Sequence, residues 1–181
     1  MKLWKKYILS YIWGSLLVAQ ILLVFIFGIN NKAGLPALKY AGWIIWALSV
    51  IFGWLPIYTF KIKGGVGKGK SYMHTSVLVD SGLYAIVRHP QYTAGILFSM
   101  ALILFSQTWI IAAIGLGIAI LLYLDILEAD KYEIQKFGDA YKRYMKKVPG
   151  TNFMLGIIRI LRNKMAGEKW NIQTHDKDIS I

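Results

Sequence analysis

Two adjacent residues, Arg88 and His89, stand directly before Pro90 in this chain of 181 residues. An apolar block follows, and Pro90 suits the first turn of a helix because its missing N–H would have no partner there anyway. The first N–H groups of a helix carry partial positive charge, Arg88 offers a fork for a carboxylate or phosphate, and His89 can donate one more hydrogen bond. This pattern predicts an anion-binding site. The alternative is that Arg88 only reaches lipid phosphate.

Carboxylates form a second cluster where a later apolar block ends, namely Asp125, Glu128, Asp130 and Glu133. Ionisable groups at that depth are costly unless a cation meets them. Asp125 and Glu128 are three apart and share a helix face, whereas Glu128 and Asp130 are two apart and do not. Asp130 begins an apolar stripe with helical spacing, so it is expected to face protein or ligand. The alternative is that all four carboxylates form ion pairs with Lys131, Lys136 and Arg88.

The elements that must position these residues are predicted to be membrane helices. The composition, 56% hydrophobic and 17% charged, is too apolar for a water-soluble domain. Four segments are predicted to span the membrane, at residues 7–29, 38–60, 90–107 and 109–127, and the third is barely long enough. We therefore expect an all-α integral membrane protein with about four spans and amphipathic helices at its C-terminal end.

Amphipathic segments are predicted after the fourth span. The stripe that begins at Asp130 indicates a helix over residues 128–147, which Gly138 weakens by about 1 kcal/mol relative to alanine. A second amphipathic piece, residues 154–161, is expected on the membrane surface. Residues 1–165 are interpreted as one membrane-embedded domain, and residues 166–181 as a polar, mobile tail. The stripe contains Ile134, Phe137, Tyr141, Tyr144 and Val148.

The basic residues are strongly sided. The net charge is +12, and all but two of the 21 lysines and arginines precede the first span, lie between the second and third, or follow the fourth. The exceptions are Lys32 and Lys39. The positive-inside rule predicts a multi-pass protein with both termini and residues 61–90 in the cytoplasm. Because topology and anionic lipid account for the charge, we expect no nucleic-acid partner.

Residues 64–71 fit the phosphate-binding pattern of glycine, four residues, then Gly-Lys-Ser. That loop needs a strand before it and a helix after it, whereas a membrane span precedes it here. We interpret it as a flexible basic loop, or, in a weaker functional reading, as a backbone cover for a polar ligand. The absence of cysteine excludes disulfides, thiolate metal sites and cysteine nucleophiles, and no metal is expected.

Over roughly residues 77 to 150 the chain resembles the isoprenylcysteine carboxyl methyltransferase and phospholipid N-methyltransferase superfamily of membrane methyltransferases. Leu78, Val79, Gly82 and Tyr84 precede the central motif. The resemblance is carried by Arg88-His89-Pro90-x-Tyr92-x-x-Gly95 and, further on, by Phe137-Gly138-x-x-Tyr141-x-x-Tyr144-x-x-x-Val148-Pro149.

The resemblance implies methyl transfer from S-adenosylmethionine to a lipid or lipidated substrate at the cytoplasmic interface, with S-adenosylhomocysteine as product. The acceptor would be an isoprenylcysteine-type carboxylate or a phospholipid-like headgroup. Catalytic roles fall on Arg88, His89, Asp130 and Glu128. The implied cofactor-binding residues are Leu78, Val79, Gly82, Tyr84, Arg88, His89, Pro90, Tyr92, Glu128, Asp130 and Tyr141.

The chain departs from the family pattern at the acidic pair. The family usually has two adjacent glutamates, whereas Ala129 and Asp130 stand here, so we rank Asp130 first and Glu128 second. Gly150 replaces a basic residue that often follows the Val-Pro. The start of the third span and the acidic exit of the fourth are expected to meet around a shared pocket that opens to the cytosol.

Two other functions stay open. The Arg-His-Pro and Phe-Gly elements also occur in membrane sterol reductases, so an NADPH-dependent isoprenoid or sterol-type reductase is an alternative, although the chain is short for one. The other alternative is a non-enzymatic membrane adaptor whose basic surface binds anionic lipid or a partner. Its affinity would fall steeply with salt.

Overall fold

A computed structural model describes residues 3–65 and 76–166, and all regular elements within these ranges are helical. This confirms the predicted all-helical class. A π-helical turn, Leu22–Ile26, continues the first helix, and a 3₁₀ helix, Gly82–Ala85, precedes the third. Residues 66–71 of the phosphate-loop pattern and the predicted tail beyond Ala166 lie outside the described residues. The α-helices are α1 (Leu3–Ile21), α2 (Pro36–Lys63), α3 (Pro90–Ser106), α4 (Trp109–Lys147) and α5 (Phe153–Met165).

Within the described residues, three segments are long and apolar enough to cross a membrane. They are Ile8–Ile26, Pro36–Lys63 and Trp109–Lys147. The 17 residues of α3 reach about 26 Å at about 1.5 Å per residue, slightly less than a hydrocarbon core of about 30 Å. Its role as a fourth span therefore stays a prediction.

The fourth predicted span does not end at residue 127. It continues past residue 127 into the predicted amphipathic helix, so that α4 extends over 39 residues with one break. The break comes later, at Gly138, whose backbone is non-helical with φ 57° and ψ −133°. Our expectation that Gly138 only weakens a regular helix was wrong. The helix breaks at this residue, and glycine permits the break because it takes a positive φ without steric cost.

The last amphipathic helix is longer than predicted. It begins at Phe153 rather than at residue 154 and runs to Met165. Asn152 caps its start, because its side-chain oxygen accepts a hydrogen bond from the backbone N–H of Leu155 at 3.1 Å. Asparagine is one of the most favoured residues at the start of a helix, because its side-chain oxygen accepts a hydrogen bond from a backbone N–H that would otherwise be unpaired.

The chain divides into two compact units. The first comprises Met1–Trp54 and Gln91–Lys131. Gly115 of α4 permits a close helix approach, because a Cβ atom there would lie 3.0 Å from the hydroxyl of Ser99 on α3. The apolar core of this unit contains Val24, Ala101, Leu102, Phe105 and Ile111.

The turn after α3 is fastened to the turn before α2 within this first unit. Gln107 accepts a hydrogen bond from the backbone N–H of Leu35 at 2.7 Å and donates one to the carbonyl of Leu35 at 2.9 Å. The backbone N–H of Asn31 donates to the carbonyl of Ser106 at 2.8 Å. Gln107 has a positive φ of 52°, so a strained residue is held at this point by its own side-chain bonds.

The second unit comprises Leu55–Pro90 and Tyr132–Ile181. Its core contains residues of the apolar stripe that the sequence predicts for α4, from both sides of the break at Gly138. Leu78 from the segment before α3 packs on the same core. The buried members are Tyr141, Tyr144 and Val148, with Ile134, Phe137 and Met145 partly buried around them.

Candidate functional site

The residues that the sequence singles out before α3 form one ordered segment of the second unit. We call residues 78–90 the Arg88 segment. Gly82 begins its 3₁₀ helix with a positive φ of 65°, which explains why glycine stands there. Ser81 precedes it, and its hydroxyl accepts a hydrogen bond from the ammonium of Lys63 at 3.0 Å. The end of α2 is thereby attached to the start of the segment.

Backbone hydrogen bonds hold the two predicted anion-binding residues. The N–H of Arg88 donates to the carbonyl of Pro149 at 2.9 Å, and the N–H of His89 donates to the carbonyl of Gly150 at 3.0 Å. The guanidinium of Arg88 donates to the carbonyls of Met145 and Val148. A cation suits the C-terminal end of a helix, where the last carbonyls carry partial negative charge. Arg88 therefore also caps α4, which the sequence motif does not indicate.

Aromatic residues provide further contacts between the Arg88 segment and α4. The hydroxyl of Tyr144 donates to the carbonyl of Tyr84 at 2.6 Å, and both side chains are buried. The ring of Tyr84 stacks on Phe60 of α2 with centroids 4.6 Å apart. The rings of Tyr141 and Tyr144 meet edge to face at 5.7 Å. The sequence motif predicts Tyr84 and Tyr141 as site residues. It gives no indication that Phe60 stacks on Tyr84.

The remaining predicted residues of the segment differ in burial. Val79, His89 and Pro90 are buried, Leu78 is half-buried, and Gly82 is exposed. Within the second unit, Leu78 packs on the core that contains Tyr141, and Tyr84 reaches the same core through its hydrogen bond with Tyr144. The roles of the predicted residues in cofactor binding stay predictions.

Tyr92 lies in the first unit and belongs to a different polar group. We call Asp125 with its partners Ser10, Trp13 and Tyr92 the Asp125 cluster. One carboxyl oxygen of Asp125 accepts hydrogen bonds from Ser10 at 2.6 Å and from the indole of Trp13 at 2.9 Å. Tyr92 also hydrogen-bonds to this carboxyl group. The cluster joins three helices of the first unit, since its members lie on α1, α3 and α4.

The predicted pairing of carboxylates by helix face is only partly right. Asp125 is 4% exposed, whereas Glu128 is exposed and forms an ion pair with Lys131 at 2.7 Å. Asp125 and Glu128 therefore differ in exposure and in partners, although they are three residues apart. Asp130 is 6% exposed, which confirms that it faces protein. The alternative of four ion-paired carboxylates holds for Glu128 but not for Asp125, whose partners are neutral donors.

Asp80 is a partly buried carboxyl group that our sequence-based list of site residues omits. Burial raises the pKa of Asp80 above its usual value, while a backbone hydrogen bond and the charge of Lys63 act in the opposite direction. Asp80 therefore adds a carboxyl group with a raised pKa to the Arg88 segment itself. The only signal in the sequence is its position between Val79 and Gly82.

Part of the chain is similar to a known protein family. Residues 69–135 match the model of the isoprenylcysteine carboxyl methyltransferase (ICMT) family. The match confirms the resemblance that the sequence motif predicts. No curated protein and no solved structure matches the chain.

The ICMT match covers the Arg88 segment, α3 and α4 as far as residue 135. It therefore includes the residues from Leu78 to Tyr92 and both ranked carboxylates, Glu128 and Asp130. Helices α1 and α2 lie outside it. Residues 69–135 are therefore similar to a methyltransferase family, and three helices within the described residues are long and apolar enough to span a bilayer.

Proposed function

We propose that this protein transfers a methyl group from S-adenosylmethionine to a lipid-borne acceptor at the cytoplasmic face of the membrane. The acceptor class is an isoprenylcysteine-type carboxylate or a phospholipid-like headgroup. One observation carries the proposal. The ICMT match includes the same segment whose Arg88 and His89 are held by backbone hydrogen bonds at the end of α4.

The proposed topology has four spans with both termini in the cytoplasm. It rests on the sided basic residues and on the hydrophobic length of α1, α2 and α4. The chain has no cysteine, so a single cysteine introduced at an exposed position reports which side of the membrane that position lies on. Thiols at position 32 should react with an impermeant maleimide from the outside, and thiols at position 139 only after permeabilisation.

The residues of the second unit fit the chemistry of this cofactor. S-adenosylmethionine carries a carboxylate, an ammonium and a sulfonium, and it supplies the methyl group from the sulfonium when bound. Arg88 and His89 offer donors for the carboxylate, and Asp80 offers an acceptor for a cationic group. The rings of Tyr84 and Tyr141 suit a cation, since aromatic faces attract positive charge.

The task of the protein in this reaction is positioning and exclusion of water. Positive charge disappears as methyl transfer proceeds, so no strong acid is needed at the reacting centre. The hydrogen bonds from Arg88 to Met145 and Val148 fix the direction of its guanidinium before any ligand arrives. A carboxylate acceptor needs no base, whereas an amine acceptor loses a proton to His89 or to a carboxylate.

Among the carboxylates of α4, we propose Asp130 ahead of Glu128 as the cofactor contact. Asp130 is buried and therefore faces protein rather than solvent. Glu128 is exposed and has Lys131 as its partner. Asp80 is a third candidate, and separate variants distinguish the three.

The test is binding of S-adenosylhomocysteine to the purified full-length protein in detergent or nanodiscs. His89→Ala and Asp130→Ala are each expected to weaken binding by at least about tenfold, the effect of losing one charge-assisted hydrogen bond. Asp139→Ala is the control, because Asp139 is exposed and pairs only with Lys142 in the described contacts. Wild-type affinity in both site variants would refute the assignment of the site.

Competition separates this function from its alternatives. Displacement of a bound nucleotide probe by NADPH, but not by S-adenosylhomocysteine, would indicate a reductase. Binding that ignores both cofactors and falls steeply with salt would indicate a membrane adaptor. Mass spectrometry of lipids and prenylated peptides, after incubation with labelled S-adenosylmethionine, identifies the acceptor.

A further inference from the structure

Helix α5 carries an exposed apolar stripe. Its large apolar residues recur at helical spacing on one side, and Met165 at the end of the stripe is 82% exposed. A soluble surface does not favour so many contiguous apolar side chains, which mark an interaction site. The members of the stripe are Met154, Leu155, Ile158, Leu161 and Met165.

The opposite side of α5 is closely packed. Gly156 is buried, and a Cβ atom at this position would overlap the carbonyl oxygen of Ile86 in the Arg88 segment. Only glycine permits this approach of the two backbones. The apolar stripe is therefore turned away from the packed side by the fit of the helix itself.

The charge of α5 identifies the partner. Its sequence contains three arginines and lysines beyond Gly156 and no acidic residue. Arg162 and Lys164 are exposed beside the stripe. An apolar stripe with flanking basic residues fits the headgroup region of an anionic bilayer, where long basic side chains reach phosphate while apolar ones enter the acyl boundary.

The third basic residue, Arg159, points inward. Its guanidinium donates hydrogen bonds to the carbonyl of Lys147 at the end of α4 and to the carbonyl of Ala85 in the Arg88 segment. Ala85 is three residues before Arg88. One side chain thus ties α5 to the segment that presents the candidate site.

We propose that α5 lies in the headgroup region of an anionic bilayer, and that Arg159 transmits the position of this helix to the backbone of the Arg88 segment. Lipid contact then stabilises the hydrogen bonds of Arg88 and His89 to Pro149 and Gly150. The membrane contact stands apart from the proposed methyl transfer. Its importance for catalysis rests on that function, so the tests below use readouts that need no activity.

The first test measures the depth of α5. The chain has no cysteine, so Ile158→Cys introduces a single spin-label site, and Asp139→Cys gives a matched exposed control on α4. The full-length protein is placed in phosphatidylcholine vesicles with and without phosphatidylglycerol. The label at position 158 should be accessible to oxygen and protected from a water-soluble nickel complex, more so with phosphatidylglycerol, whereas the label at position 139 should show the reverse.

Two outcomes overturn the membrane contact. One is equal nickel accessibility at positions 158 and 139, which would mean that the stripe faces water. The other is protection from both probes with dipolar broadening between labels, which would mean that a second copy of the chain covers the stripe.

The second test measures coupling through Arg159. Hydrogen exchange is followed at the amides of Arg88 and His89 in Arg159→Gln and in the matched surface variant Arg162→Gln. Loss of the hydrogen bond from Arg159 to Ala85 should speed exchange by about tenfold, as expected for one lost charge-assisted hydrogen bond. Arg162→Gln should leave exchange unchanged. Equal exchange in both variants would overturn the coupling.

A third variant tests whether the contact of α5 with lipid stabilises the Arg88 segment. Leu155→Ser combined with Ile158→Ser weakens the apolar stripe but leaves Arg159 intact. It should speed exchange at Arg88 and His89 in vesicles and have little effect in detergent, where micelles replace the bilayer. The same effect in both settings would show that the substitutions only disturb packing, and would contradict the role of lipid.

Discussion

The Asp125 cluster and the Arg88 segment both contain polar groups with little exposure to solvent, but the hydrogen-bond acceptors of the two regions differ. In the Asp125 cluster, side chains bind a side chain, with Ser10 and Trp13 donating to one carboxyl oxygen. In the Arg88 segment, donors bind backbone carbonyls, at Met145, Pro149 and Gly150. A side-chain acceptor can be removed by one substitution, whereas a carbonyl survives every substitution. The first region should therefore be more sensitive to single changes than the second.

The largest effect is expected from Asp125→Ala. This change leaves the donors of Ser10 and Trp13 without their acceptor inside an apolar unit, at a cost of about 2–3 kcal/mol in the free energy of unfolding. Thermal unfolding in detergent measures it. Asp125→Asn should cost clearly less, because the amide oxygen still accepts both hydrogen bonds.

A smaller effect is expected from Tyr144→Phe in the second unit. The carbonyl of Tyr84 loses its donor, but the ring still fills its place, so the cost should be about 1–1.5 kcal/mol. Tyr123→Phe is the control, since Tyr123 is exposed. If Tyr144→Phe destabilises the protein more than Asp125→Ala does, the comparison between the two regions fails.

The kink at Gly138 predicts the sign of the stability change when this glycine is replaced by alanine. In a regular helix, glycine to alanine stabilises by up to about 1 kcal/mol. At the positive φ of Gly138, Gly138→Ala should instead destabilise by about 1 kcal/mol. Gly117→Ala provides the matched control on the same helix, because Gly117 has open space around it and no positive φ. Opposite signs in thermal unfolding are expected for the two variants, and equal signs would mean that α4 is regular at residue 138.

The smallest effect concerns Asp80. A carboxyl group with a raised pKa contributes stability at acidic pH, and this contribution is lost as pH rises through the folded-state pKa. Asp80→Asn should therefore leave stability unchanged near pH 4, within the usual range of aspartate, and slightly increase it near pH 7. Melting temperatures at the two pH values measure the difference. A decrease at pH 7 would mean that attraction to Lys63 outweighs burial.

Helix positions and the core of the second unit could be predicted from the sequence, because the order of apolar and polar residues determines both the hydrophobic length and the periodicity. The stripe through Tyr141, Tyr144 and Val148 illustrates this. The continuity of α4 beyond residue 127 was missed, since a change from apolar to amphipathic pattern does not require the backbone to stop. The break at Gly138 was missed because glycine occurs both in helices and at kinks.

The candidate site could be located but not described from the sequence. The motif pointed to Arg88 and His89, and the ICMT match includes them. Their carbonyl partners were beyond prediction, because a backbone carbonyl is identical in every residue and gives no signal. The Asp125 cluster shows the complementary limit. Tyr92 was assigned to cofactor binding by its place in the motif, although its partner in the structure is a carboxyl group on α4.

The hydrogen bonds from Arg88 to Pro149 and from His89 to Gly150 also set an order in time. About sixty residues separate each donor from its acceptor, so these contacts are impossible while the ribosome is still making α4. The Arg88 segment is finished only when the chain has been translated past Gly150. A nascent chain stalled before that point would contain the complete sequences of α1, α2 and α3, yet the Arg88 segment would lack both of these hydrogen bonds.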